Sequence, residues 1–224
     1  IKNKLNDCII DIGGNLGISA MGFRKLGFKN KIFLFEPNKY IYNNYIKKKL
    51  LKNYKNIFGY NFALGHKNQT KEFFYPYYKN KCIHYFCSFD KSYVTNSISI
   101  TFKNKKIKII KDNLKIRSFD KLNIRCNPKL LKIDVEGYDY EVIKGMKNTI
   151  RNYKPVILVE FNKNNFYKIK RFLKNYDPWV YFFEENKFQR FNNKMVDRDI
   201  ARTIDTNLMS VRNIFFIPKL HKWI

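Results

Sequence analysis

Short runs of consecutive apolar residues alternate along this chain with longer stretches in which apolar positions recur every three or four residues. These are the patterns of buried strands and amphipathic helices. The first run, Cys8-Ile9-Ile10-Asp11-Ile12, carries an acid near its end and is followed by Gly13-Gly14-Asn15-Leu16-Gly17 and an amphipathic run over residues 18–26. That order predicts strand, tight turn and helix, the opening unit of a doubly wound α/β sheet. Glycine suits such a turn because it accepts positive φ and lets a ligand approach the backbone closely. The start of the following helix offers unpaired N–H groups that can hold a carboxylate or phosphate. A nucleotide-like cofactor is therefore the first expectation.

Residues 31–38 read as a second buried strand, closed by Glu36 and Pro37. Glu36 lies about twenty residues past the glycine turn, the spacing at which an acid ending strand two reaches ribose hydroxyls. Residues 40–54 put Tyr42, Tyr45, Ile46 and Leu50 on one face of a helix. Residues 56–64 read as a third strand and residues 65–68 as the turn that ends it. Residues 69–110 are less regular, with strands at 71–75 and 106–110 and with Tyr77, Tyr78, Tyr85 and Phe86 crowded between them. Such an insertion can roof a substrate pocket, or its aromatics can simply cover the sheet.

A helical turn at 118–122 leads to a fourth strand at 129–135. Beyond it Val142, Ile143 and Met146 share the inner face of a helix, with Asp139 and Glu141 in its first turn, where acids suit the dipole. Residues 155–161 form a fifth strand with Glu160 near its end. A basic helix at 166–175 and a last pair of strands at 179–183 and 214–217, separated by a polar connection, complete the pattern. No internal repeat or linker divides the chain, so a single domain over 1–224 is expected, with 69–110 as a substrate-roofing insertion.

Composition changes this picture little. In 224 residues, 45% hydrophobic and 17% aromatic, there is material for one full core and no sign of wholesale disorder. No apolar run is long enough to span a bilayer, and the first residues lack the pattern of a signal peptide. The sequence begins at Ile1, almost directly in a strand, as though residues had been trimmed upstream. A formal charge of +27 would suit nucleic acid or an anionic membrane surface. The charge is mostly lysine scattered among Asn, Ile, Tyr and Phe, which favours a solvated surface over a dedicated nucleic-acid site. Cys8, Cys82, Cys87 and Cys126 contain no C-x-x-C pair, so free thiols in a reducing compartment, the cytoplasm, are expected. Cys82, His84 and Cys87 lack a fourth ligand at finger-like spacing.

The candidate chemistry sits at the strand tips. Asp11, Glu36, Asp134 and Glu160 end or nearly end four strands, and ligands bind outside the carboxyl ends of strands in such sheets. A single acid there can be structural, for example Asp134 as a cap for the next helix and Glu141 as a surface acid. Several converging beside a glycine turn make a site.

Four blocks carry a resemblance: Asp11-Ile12-Gly13-Gly14-Asn15-Leu16-Gly17, Phe35-Glu36-Pro37-Asn38, Asn61-Phe62-Ala63-Leu64-Gly65, and above all Leu131-Lys132-Ile133-Asp134-Val135-Glu136-Gly137 continuing to Gly145. They resemble the FkbM family of S-adenosylmethionine-dependent methyltransferases, over essentially the whole chain and least over 69–110. The resemblance implies a Rossmann-like methyltransferase fold, a mostly parallel sheet whose last strand runs antiparallel. It implies a cofactor, S-adenosyl-L-methionine, with Asp11, Gly13, Gly14, Asn15 and Gly17 bordering its methionine moiety, Glu36 on its ribose and Ala63 near its adenine. It further implies methylation of a hydroxyl, on a sugar, a glycan or a natural product.

Such an alcohol attacks only as its proton is removed, which calls for a base in hydrogen-bond reach. Asp134, Glu136 and Glu160 are the candidates, and His66 is left aside as an exposed loop residue. A divalent cation held by some of these carboxylates would be an alternative activator, and no ligand for it is assigned. Three rivals are weaker. An NAD-dependent oxidoreductase needs G-x-G-x-x-G, whose first glycine is replaced by Ile12. An amino-directed nucleic-acid methyltransferase would carry Asn/Asp-Pro-Pro-aromatic where Asp134-Val135-Glu136-Gly137 stands. An RNA-binding module would need an aromatic-basic strand motif that is absent.

Overall fold

The protein is described here from a computed structural model covering residues 6–103, 105–182, 186–192 and 213–219. The main sheet has eight strands: β1 (Asp7–Ile12), β2 (Lys31–Phe35), β3 (Ile57–Tyr60), β8 (Asn127–Ile133), β9 (Val156–Glu160), β10 (Tyr176–Phe182), β11 (Lys187–Arg190) and β12 (Asn213–Pro218). Their order is β11-β10-β12-β9-β8-β1-β2-β3. The five strands from β3 to β9 are mutually parallel, and β12 runs antiparallel to both β9 and β10. The expected antiparallel last strand is thus present, wedged inside the sheet. β11 adds a hairpin to β10 that hydrophobic patterning did not predict. Phe183 of the expected 179–183 strand lies outside the described residues.

Strand alternation divides the core. Cys8, Ile10, Ile12, Phe33, Phe35, Leu131 and Ile133 point to the face covered by α4 (Asp139–Gly145), α5 (Lys147–Tyr153) and α6 (Lys163–Phe172). Ile9, Ile32 and Leu34 point to the other face, against Ala20 of α1 (Ile18–Lys25) and Ile46 and Leu50 of α2. The second helix runs through three segments, Lys39–Ile41, Tyr42–Leu50 wound as a π-helix, and Leu51–Asn53. Asn38 caps it by accepting from Tyr40 N–H at 3.0 Å and Ile41 N–H at 3.2 Å. Each fully buried Ile or Phe contributes about 2 kcal/mol of hydrophobic free energy.

Two expectations need correction. The single strand at 56–64 is two: β3 stays in the main sheet, while β4 (Ala63–Leu64) joins a second sheet of order β4-β7-β5-β6. Asn61 makes the break, its amide donating to the carbonyls of Glu36 at 2.8 Å and Pro37 at 3.1 Å. The segment 69–110 is more regular than its pattern implies. It holds β5 (Gln69–Tyr78), β6 (Lys81–Cys82), α3 (Lys91–Thr101) and the start of β7 (Lys108–Arg117), which pairs antiparallel with β5 from end to end. The helix after β8 is also interrupted, at Met146, between α4 and α5. Asp120 restarts it by accepting from Asn148 N–H at 2.7 Å and Thr149 N–H at 3.0 Å.

Candidate functional site

The glycine loop is clamped between two strands. Gly13 N–H and Gly14 N–H both donate to the Phe35 carbonyl at the tip of β2, at 2.9 and 3.1 Å, and Asp134 N–H donates to Ile12 at 3.0 Å. Gly13 has φ +78, and a Cβ there would stand 1.8 Å from the Asp134 carbonyl oxygen. Only glycine fits at this crossing. Gly17 likewise holds a left-handed φ of +81, and at Gly14 a Cβ would stand 2.4 Å from the Leu34 side chain.

A cavity of about 380 Å³ opens beside this loop. Gly13, Asn15, Glu36, Ala63, Asp134, Glu136 and Glu160 all line it, whereas Asp11, Gly14 and Gly17 do not. Asp11 is set back from the cavity lining. It is fully buried on the α1–α2 face, in register with Lys132 of β8, whose Nζ is 3.5 Å from Asp11 Oδ1 and 3.1 Å from Asp134 Oδ2. Burial pushes the Asp11 carboxyl up, offset in part by that ammonium. Burial works against the charge on Lys132, but Asp11 and Asp134 hold its pKa above the ordinary value.

Glu36 is buried at the floor. Its Oε2 accepts from Asn15 N–H at 2.9 Å and its Oε1 from Asn38 N–H at 2.7 Å. Burial raises its pKa to about 7, against the pull of those two N–H donors. Each oxygen keeps a lone pair for a hydroxyl donor. Asn15 Oδ1 is buried without a hydrogen-bond partner among the described residues, and Phe62, Ala63 and Leu64 form an apolar wall. An acceptor carboxylate, a waiting polar atom and a flat apolar wall fit a ribose-adenine group with a polar tail.

Across the cavity, one carboxylate oxygen each from Asp134, Glu136 and Glu160 lie within 4.8 Å of one another. They come from the end of β8, the turn after it, and the end of β9. Such a triangle could surround one cation. However, Asp134 is already engaged by Lys132 and Glu136 Oε2 accepts from the Tyr93 hydroxyl at 2.6 Å, so we assign no metal ligands here. Burial raises Glu136 to about 7, with Tyr93 lowering it and Asp134 and Asp139 raising it. Cys82 and Cys87 approach to 3.6 Å between sulfurs and lie near the Asn38 amide, but His84 does not join them in a metal-holding group among the described residues. Glu141 pairs with Lys144 on the surface at 2.6 Å.

The second sheet and its connections form the roof. Phe73, His84, Tyr85, Cys87 and Phe89 line the cavity from above, and the Phe89 ring lies 4.8 Å from that of Tyr138 in the strongest motif. Tyr85 stands out in the sequence, whereas nothing in the pattern of Tyr93, Phe73 or Phe89 marks a role. Only the crowding of aromatics in 69–110 pointed toward them. Asn213, at the start of β12 and in register with Glu160, was also missed.

Among the described residues no helix is long and apolar enough to cross a membrane. Comparison with curated proteins finds no match. Among solved structures, the methyltransferase FkbM from Methylobacillus flagellatus KT superposes with a TM-score of 0.54 at 14% identity, over 96% of this chain. This chain spans 44% of that protein's length. A precorrin-6y C5,15-methyltransferase from Geobacter metallireducens GS-15 aligns at 13% identity and a TM-score of 0.43, covering 95% of this chain and 79% of its own. A family model for the methyltransferase FkbM domain matches residues 11–206. With that match over most of its length, and the Rossmann-like fold to go with it, the chain belongs to the FkbM family of methyltransferases.

Proposed function

We propose that this protein is an O-methyltransferase that uses S-adenosylmethionine to methylate a hydroxyl of a sugar or glycan, within one domain whose residues 69–110 roof the acceptor pocket. The observation that carries this reading is the convergence of Asp134, Glu136 and Glu160 under an aromatic roof, facing the same cavity as Glu36 and Asn15. When bound, S-adenosylmethionine supplies a methyl group on a positively charged sulfur, ready for in-line displacement. The protein's task is then positioning and proton removal.

Glu36 accepts the ribose hydroxyls, Asn15 Oδ1 takes a polar donor of the methionine end, and Ala63 with Phe62 and Leu64 packs on the adenine. Gly13 keeps the floor low enough for this approach. Of the three carboxylates, Glu136 is the best proton acceptor. Asp134 is already paired with an ammonium at 3.1 Å, whereas the pKa of Glu136 of about 7 matches a base working near neutral pH. Tyr85 and Phe89, both in the cavity lining, supply aromatic surface for the C–H groups of a sugar. Asp134 supports the site electrostatically, and Glu160 stands beside both.

The test is a labelled-methyl transfer screen across free sugars, polyols and glycans, with product mass identifying the modified position. Calorimetry with S-adenosylmethionine against NAD runs in parallel. Heat with NAD alone, or a product methylated on nitrogen, would overturn the reading.

A further inference from the structure

Glu136 holds φ +49, a left-handed conformation that a residue with a side chain keeps only where its surroundings impose it. Two side chains from the roof contact it. Tyr93 of α3 donates its hydroxyl to Glu136 Oε2 at 2.6 Å, and Ser88 Oγ donates to the Glu136 carbonyl at 3.3 Å. The Tyr93 bond is solvent-exposed, but both donors sit on anchored segments. Ser88 exchanges two backbone hydrogen bonds with Phe74 of β5, at 2.9 and 3.2 Å. Asp90 caps α3 by accepting from Ser92 N–H at 2.8 Å and Tyr93 N–H at 3.3 Å, and Val94 and Ile98 pack with Phe74 beneath the helix. The Tyr93 hydroxyl is thus presented by a helix anchored at its start and along its buried face.

We propose that Tyr93 is a positioning residue for methyl transfer, its hydroxyl fixing the Glu136 carboxylate in the cavity and favouring its ionised form. This rests on the reading of Glu136 as the proton acceptor. A phenol O–H donated to a carboxylate stabilises the anion. The other groups near Glu136 oppose or leave that effect: Asp134 and Asp139 flank it, Glu160 faces it from β9, and Lys132 is occupied by Asp134 and Asp11. His84 lines the same cavity from the roof, with burial keeping its imidazole toward the neutral form. Without Tyr93, Glu136 would stay protonated over more of the neutral range and could not accept a proton. The insertion therefore supplies both the shape of the pocket and the readiness of its base.

The experiment reads Glu136 directly. The chain has seven glutamates, so 13C NMR of protein labelled at the glutamate carboxyl carbons resolves few signals, and Glu136→Gln identifies the relevant one. The wild type should titrate near pH 7, and Tyr93→Phe, which keeps the ring, should move the midpoint up by about one pH unit. A purely structural role predicts the opposite sign, because a loosened roof admits water and lowers the midpoint. S-adenosylmethionine binding by calorimetry, measured on the same samples, should be equal in wild type and Tyr93→Phe. A midpoint that stays or falls with cofactor binding intact overturns the role of Tyr93 and leaves the proposed function standing. No cofactor binding by the wild type overturns both.

Discussion

Glu36→Gln tests the floor of the site most directly, because both oxygens of Glu36 accept from backbone donors, Asn15 N–H and Asn38 N–H. With a pKa of about 7, it is ionised in about nine molecules in ten at pH 8 and about three in a hundred at pH 5.5. Ribose hydroxyls donate far more strongly to the ionised carboxylate than to the neutral acid, so the apparent Kd for S-adenosylmethionine should rise by up to about thirtyfold between pH 8 and pH 5.5. That is about 2 kcal/mol. Glutamine cannot titrate, and its amide would turn an N–H toward either Asn15 N–H or Asn38 N–H. The variant should therefore bind more weakly at pH 8, show a nearly flat pH profile, and lose about 1–3 kcal/mol of stability from the orphaned donor. Calorimetric titrations at four or five pH values, in buffers of different ionisation enthalpy, give both the slope and the protons released. A wild-type Kd that does not move across this range, or a Gln variant that keeps the wild-type slope, would refute the assignment of Glu36.

Other consequences can be checked by denaturation. Gly145 lies in α4, and a Cβ there would stand 1.9 Å from the Gly65 carbonyl oxygen. Gly145→Ala should cost about 3 kcal/mol or more in urea unfolding, while Gly22→Ala, where nothing lies within 4 Å, should gain about 0.5–1 kcal/mol. Equal effects would contradict the packing argument. Lys132→Met should cost about 3–5 kcal/mol by leaving Asp11 buried and unpaired, and Asp11→Leu in the same chain should recover most of it. A double variant no better than the single one would show the pair to be unimportant. Asp139 is buried, with burial raising its pKa from 3.8 to about 6. The native state thus holds a proton that the unfolded chain has released over that window, and its contribution, up to about 3 kcal/mol, is lost as pH rises through 6. Asp139→Asn should remove that slope, so the gap between variant and wild type must change between pH 4 and pH 7.5; a constant gap would refute it.

The legible parts of this protein are those where one short segment carries its own evidence. β1 with its glycine loop, β2 with Glu36, and β8 with Asp134 each combine a short, mainly apolar run with an acid at or near its tip, and the structure sets them side by side. Asp11 shows the limit of that reasoning. Its position near a strand end suggests the crevice, but alternation turns it with Ile9 toward α1 and α2, where register puts it beside Lys132. The split of residues 56–64 was hidden because apolar residues resume at Phe62 after Asn61, and the Asn61 amide bonds at the break leave no mark in the pattern. Tyr93 was hidden for a different reason. Helix α3 is rich in Ser and Thr and has a weak apolar stripe, and the contact that gives Tyr93 meaning spans 43 positions.

The place of β12 has a consequence for biosynthesis. During vectorial synthesis the ribosome delivers β9, then the β10–β11 hairpin, and neither can close on the other, because both pair through Asn213–Pro218. Until that segment emerges, the side of β9 over residues 157–160 and the side of β10 over residues 176–179 remain two bare hydrogen-bonding edges, the kind that recruit foreign strands. A transcript or protease cut that ends the chain before Asn213 should therefore yield a polypeptide that aggregates, even though the cofactor floor, the acidic strand tips and the roof have all been made.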